Sequence, residues 1–198
     1  MQVRSVSFDS SFLLHYKPTV DSVIKLLAKD NIPCYITSTV LSEIERLKVF
    51  GRISDQEYKI ALVRWKRVHA TVIDFKNRLL SDTFGDQCLR SMQKYHGADG
   101  KHVANDCKIL VSNLKNGVDI FLSEDYHFTS KITKKVVKDV KNVACTEFHQ
   151  MCDSILYNID SKTFLEAYNR GEIDVNIIES RLKNIKKPGK TIGNRKDY

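Results

Sequence analysis

Apolar positions along this chain fall into short runs separated by longer stretches with helical spacing. Val3–Phe8 (VRSVSF) reads as a short strand, followed by Asp-Ser-Ser, which is turn or helix-cap chemistry. Val20, Val23, Ile24 and Leu27 recur at helical spacing and predict a helix over Val20–Lys29, with Thr19 or Asp21 available as a cap. Asn31 and Pro33 break it, and Cys34–Thr37 (CYIT) is a second short strand. Ser38 or Thr39 then caps a helix to about Phe50, ended by Gly51. Ser54 with Glu57 three residues on is a capping box opening an amphipathic helix to His69. Thr71–Ile73 suits either a strand or a continuation of that helix. Asp86–Tyr95 reads as helix, Gly97 to Gly100 as loop, and Lys101–Asn116 as a helix turning Val103, Cys107, Ile109, Leu110 and Leu114 to a core. Val118–Leu122 (VDIFL) is apolar at most positions, as an interior parallel strand is. Val140–Ala144 is expected as a further strand, with Thr146 capping a helix from Glu147 to about Tyr157.

Short strands alternating with helices predict an α/β fold: a three-layer α/β/α sandwich around a central, mostly parallel sheet, because parallel strands need crossover connections. In such sheets ligands bind beyond the carboxyl ends of the strands. The character changes near Ile159. Asp160–Tyr168 and Glu172–Ile185 read as two helices joined at Arg170-Gly171, and the end, RLKNIKKPGKTIGNRKDY, is strongly basic. The expected organisation is therefore an α/β domain over residues 1–157 and, over 158–198, a helical extension with a basic flexible tail.

Composition narrows the function classes. The chain has 198 residues, 42% hydrophobic and 28% charged, which suits a globular protein with a core that folds without a metal or disulfide staple. No apolar run approaches the roughly 18 residues of a membrane span, and the N-terminus lacks a signal-peptide pattern. The five cysteines are odd in number and contain no C-x-x-C pair, which points to reduced thiols in the cytoplasm and away from zinc or a disulfide framework. The net charge of +8 favours encounter with polyanions.

Against that basic background four acids occupy equivalent places. Asp9 follows the first strand, Glu43 lies early in the helix after the second, Asp106 sits near the start of the 101–116 helix, and Asp125 follows VDIFL. In a parallel sheet these positions share one edge. The ordered set SFDSSFL, TSTVLSEIERL, VANDCKILVSN and FLSEDYHF, the last a strand running into Ser-x-Asp-x-x-Phe, resembles the PIN-domain nuclease family over roughly Val3 to Met151. The resemblance implies a PIN-like fold and a divalent-metal-dependent endoribonuclease. Its carboxylates would hold Mg²⁺ or Mn²⁺, whose preference for hard oxygen ligands fits them. By the same resemblance Asp9 and Asp106 are metal ligands, Asp125 a direct or water-mediated one, and Glu43 orients water or completes the shell. Ser10 or Ser11, and Ser123, are candidates to hold the carboxylates or a phosphate. RNA is the implied partner, and a homodimer and an antitoxin protein are further implied partners, although the chain is longer than a minimal PIN toxin. Leu47, Phe50 and Ile60 are candidate dimer contacts.

Each acid has a plainer reading. Asp9 and Asp125 suit turns or caps, Glu43 and Asp106 suit solvated early-helix positions, and Glu45, Asp99 and Glu124 are neighbouring rivals. His96, His102 and His127 lack metal-ligand spacing and read as loop residues, with His127 placed to face substrate. Tyr58 and Trp65, seven apart on one helix, suit core or partner contact. Lys131, Lys134, Lys135, Lys138 and Lys141 form either a solvated face or a phosphate track, and Lys131, Lys134 and Lys135 are the candidates for binding substrate. Two other classes compete with a nuclease. One is an RNA- or partner-binding PIN module that does not cut. The other is a Mg²⁺-dependent phosphatase, against which speaks Asp-Ser-Ser where a covalent Asp-x-Asp nucleophile is expected.

Overall fold

The computed structural model describes residues 3–75, 78–97, 100–144 and 156–172. Five strands form one sheet: β1 (Val6–Phe8), β2 (Cys34–Thr37), β3 (Thr71–Ile73), β4 (Ile120–Leu122) and β5 (Tyr157–Ile159). Their order is β3-β2-β1-β4-β5 and every neighbouring pair is parallel. The helices are α1 (Ser10–Leu14), α2 (Pro18–Lys29), α3 (Ser38–Val49), α4 (Asp55–Arg67), α5 (Arg78–His96), α6 (Gly100–Lys115), α7 (Tyr126–Thr129), α8 (Lys131–Ala144) and α9 (Ser161–Asn169). Helices flank the sheet as a three-layer α/β/α sandwich. α5 packs on α6 and α8, and α2 packs on α4 and α9.

The register explains why β1, β4 and β5 are buried throughout. Phe8 lies beside Ile36 and Leu122, and Leu122 beside Ile159, so these four share one face. Ser7, Tyr35, Phe121 and Asn158 share the other. Phe8 stacks on Phe12 of α1 with centroids 5.5 Å apart, while Phe121 takes Phe128 of α7 edge-on at 5.0 Å. A sheet covered on both faces has no side on which polar residues are solvated.

Local signals set most boundaries. The capping box at Ser54 and Glu57 is formed in full. α3 is capped by Thr37, which accepts from the Val40 N–H at 3.3 Å, one residue before the expected Ser38 or Thr39. α2 starts at Pro18 with no side-chain cap, instead of using Thr19 or Asp21; proline fits the first turn because its missing N–H would have no helical partner there. α6 runs into Gly117, whose φ of +67° lets the chain reverse into β4 at no steric cost.

Three expectations are corrected. Val140–Ala144 is the end of α8 and not a strand: Thr133, Val136, Val137 and Val140 are buried at helical spacing while Lys131, Lys135 and Lys138 stay exposed. Tyr157 is in a strand and not at the end of a helix. α5 begins eight residues before the expected Asp86 and carries Gly85 in its interior. The boundary expected between 157 and 158 falls inside β5, and α9 follows directly to pack on α2. The remainder of the helix expected over Glu147–Tyr157, the helix expected over Glu172–Ile185, the basic tail, Asp99, Cys145 and Cys152 lie outside the described residues, save for Leu156, Tyr157 and Glu172. Cys34, Cys88 and Cys107 are buried free thiols. No described helix is long and apolar enough to cross a membrane.

Candidate active site

The strand order runs outward in both directions from β1 and β4. The crossovers leaving these two strands diverge, and the carboxyl ends of such a pair frame a crevice. Asp9 and Ser123 are the residues immediately after β1 and β4, joined by a hydrogen bond from the Asp9 N–H to the Leu122 carbonyl at 2.9 Å.

A serine network organises this edge. Asp9 is 3% exposed. Its Oδ2 accepts from the Ser11 hydroxyl at 2.5 Å, the Ser123 hydroxyl at 3.0 Å and the Ser11 N–H at 3.3 Å. The two serine hydroxyls both bond to Oδ2, and the Ser10 backbone also favours the charged carboxylate. The Ser123 hydroxyl also accepts from the Asp125 N–H at 3.0 Å, and the Ser10 hydroxyl donates to Glu43 at 2.9 Å. Asp125 caps α7, accepting from the His127 N–H at 2.8 Å. The plainer cap readings of Asp9 and Asp125 thus hold for both residues alongside their place at the strand ends.

Asp106 lies within electrostatic range of the other three acids. Burial, then the charges of Asp9, Asp125 and Glu43, push the Asp106 carboxyl up from 3.8 to about 7. Burial likewise raises Asp9 to about 6, with Glu43 adding to the rise and the bonds from Ser11 and Ser123 working against it. Asp106 is half-buried on the second turn of α6, and Glu43 is half-buried on α3. Ser123→Ala strips Asp9 of one donor and leaves the buried Asp125 N–H contact unmade. It is expected to destabilise the protein by about 1–3 kcal/mol and to move the Asp9 titration higher, as chemical denaturation and carboxyl NMR would read.

The rival acid next to Asp125 does something else. Glu124 accepts from Lys17 at 2.6 Å and from the Ser161 N–H at 2.9 Å, and these partners hold its carboxyl below its usual range despite burial. It ties β4 to the segment before α2 and to the start of α9. Glu45 is exposed.

The expected substrate lysines lie on α8. Lys131 is exposed, the Lys134 ammonium lies 5.8 Å from the centre of the Tyr157 ring, and that of Lys135 lies 5.6 Å from the Tyr95 ring. A contact the sequence reading missed is the pairing of His96 and His127, whose rings are 5.6 Å apart. Burial and the neighbouring His127 lower the His96 pKa. Trp65 donates to the Ala70 carbonyl at 2.8 Å, a structural role. A cavity of about 220 Å³ lies at the amino-end edge of the sheet, lined among others by Pro33, Tyr35, Val68 and Thr71, and includes none of the four acids.

As a donor set, four carboxylates at one edge suit a hard divalent cation, and their mutual repulsion is the term such a cation would relieve. Among the described residues, however, no three His, Cys, Asp or Glu side chains stand together as a ready-made ligand group. The sequence matches no family model, no curated protein and no solved structure. The likeness to PIN-domain nucleases therefore rests on the residues themselves.

Proposed function

We propose that the chain is a PIN-like, divalent-metal-dependent endoribonuclease that hydrolyses RNA phosphodiester bonds at the carboxyl edge of β1 and β4. The observation that carries this reading is the crevice where β1 and β4 end, where Ser123 bonds both Asp9 and the Asp125 N–H and Asp106 lies within electrostatic range of the other three acids, in a protein whose net charge is +8. Concentrated negative charge inside a basic protein is costly for a scaffold and useful for capturing a cation.

In this reading Asp9 and Asp106 hold Mg²⁺ or Mn²⁺ and Asp125 joins them directly or through water. The bound ion would neutralise the scissile phosphate, activate water and support the leaving oxygen. Ser11 and Ser123 fix the Asp9 carboxylate through Oδ2, which holds it in one orientation. Ser10 does the same for Glu43, which is placed to orient water or complete the shell. Lys131, Lys134 and Lys135 attract the RNA backbone. A homodimer, an antitoxin protein and a cytoplasmic setting belong to the same reading; Phe50, 69% exposed, and Leu47 are its candidate contacts.

The competing reading is a PIN-like module that grips RNA or a partner without cutting. It draws on the lack of a preformed three-residue ligand group among the described residues. Labelled single-stranded RNA incubated with Mg²⁺, Mn²⁺ or EDTA separates the two. Cleavage in metal only, abolished by Asp9→Asn and by Asp106→Asn, is the expected result. RNA binding with no cleavage in any metal would leave the binding module.

A further inference from the structure

We propose that a ridge formed by Lys94, Tyr95, Lys135, His96, His127 and Tyr126 is a track for single-stranded nucleic acid, with Tyr126 as a base-stacking platform beside Asp125. The inference deepens the nuclease reading and rests on it for the polymer and for the direction in which the strand runs.

Contacts tie residues of three helices together, and neighbours in sequence extend the group to Tyr126. The Lys94 ammonium lies 5.0 Å from the centre of the Tyr95 ring, and that of Lys135 on α8 lies 5.6 Å from it. His96 follows Tyr95 at the end of α5; its Nε2 is 3.4 Å from the Thr133 hydroxyl of α8, and its ring is 5.6 Å from that of His127 on α7. His127 follows Tyr126, and Tyr126 follows Asp125. Lys94, Lys135, Tyr126 and His127 are exposed, and Tyr126 is 75% so.

The alternation of cations and rings is the composition that binds unpaired strands. Cations follow the phosphates, while an exposed ring offers a face to a base that a duplex keeps inside its own stack. A single exposed tyrosine is ordinary. This one is distinguished by a rigid base and by its position. Phe128, two residues on, is buried edge-on against Phe121, and the Ser130 N–H closes α7 on the Tyr126 carbonyl at 2.9 Å. Tyr126 is the chain neighbour of Asp125, their Cα atoms about 3.8 Å apart, so a base stacked there would be held in the neighbourhood of the acids.

The test is equilibrium binding of a labelled single-stranded RNA, the matching DNA strand and an RNA duplex, read by fluorescence anisotropy with the full chain in EDTA. Tyr126→Ala is expected to weaken single-strand binding about tenfold, the lower part of what one stacked base contributes. Tyr126→Phe should bind as wild type, duplex binding should not change, and Val63→Ala, an exposed apolar side chain on α4, should be silent. Lys94→Gln and Lys135→Gln should each flatten the salt dependence of single-strand binding by about 0.7 in log–log slope. Whether RNA or DNA binds better identifies the polymer, and either supports the track. Absence of binding, Tyr126→Ala binding like wild type, or Tyr126→Phe losing as much as alanine overturns it. Because EDTA silences cleavage, Tyr126-dependent binding without metal-dependent cutting would sink the nuclease reading and keep the track. Cutting indifferent to Tyr126 would do the reverse.

Discussion

Asp106→Asn is expected to give a metal-free protein that is more stable than wild type at pH 8 and catalytically dead. The Asp106 carboxyl is raised from 3.8 to about 7 in the fold, by burial first and by its three acidic neighbours after that. Between pH 4 and pH 7 the unfolded chain has released this proton while the folded protein still holds it. The unfolded state therefore binds fewer protons, and stability falls as pH rises. The protonated carboxyl's contribution is fully present below about pH 4 and is lost by the time pH has passed about 7. Asp9, raised to about 6, adds a slope of the same sign. A pKa unit is worth about 1.4 kcal/mol, so the cost at pH 8 is on the order of a few kcal/mol, trimmed by solvent because Asp106 is only half-buried. The two shifts share a repulsion and do not simply add. Asparagine is neutral at every pH. In EDTA its melting temperature should exceed that of wild type by several degrees at pH 8, at about 2–4 °C per kcal/mol for this length, with little difference near pH 4. Mg²⁺ at about 100 times its Kd should stabilise wild type by about 2.7 kcal/mol and the variant far less. Cleavage should fall by about 10²-fold or more, since a Lewis acid's share of the barrier is several kcal/mol. Equal melting temperatures for both proteins in EDTA at pH 5 and pH 8 would mean that the acids do not repel one another as argued.

The largest loss of stability is expected from Phe121→Ala. Phe121 is fully buried at the middle of β4, flanked in register by Ser7 and Asn158, and meets Phe128 edge-on with an interplanar angle of 82°. Truncation removes the ring and leaves a cavity that strands on both sides prevent from collapsing. The expected cost is about 3–5 kcal/mol, with about 1 kcal/mol of that order traceable to the aromatic pair. For a domain whose whole stability is of order 5–15 kcal/mol this is a large fraction. Phe121→Leu keeps most of the volume and should lose clearly less, which guards against an alanine variant that fails to fold. Urea denaturation gives the comparison, and an alanine midpoint indistinguishable from wild type would show that β4 is not the centre of the core.

Much of the fold is legible from the chain because its signals are local. The Cys34–Thr37 strand has the expected ends, the Ser54–Glu57 box opens its helix, and four acids follow strands or open helices in an order that places them at one edge. The failures have a common cause in short windows. VKNVA read alone is rich in β-branched residues and suggests a strand, yet over Lys131–Ala144 the apolar positions keep helical spacing. β5 is three residues with a buried asparagine at its centre, so no apolar run announces it. α1 is a single turn hidden behind cap chemistry. Glu124 and Asp125 are indistinguishable as neighbours in sequence; only Lys17 and Ser161, 107 and 37 residues away, make one structural and leave the other at the site. The His96–His127 contact spans two helices and has no signal along the chain at all.

The hydrogen bond from Ser123 to Asp9 spans 114 residues, and it sets when the site can first exist during synthesis. β1 is the centre of the sheet, and β4, which flanks it, is made only after β2 and β3. At about 5–20 residues per second the interval between Asp9 and Ser123 is on the order of ten seconds. Throughout that time β1 has one flank unpaired, and the acids at the β4 edge are not yet made. Such long-range pairing makes for slow folding. For a protein that cuts RNA it would also mean a nascent chain incapable of attacking the message that encodes it until Ser123 and Asp125 have been made.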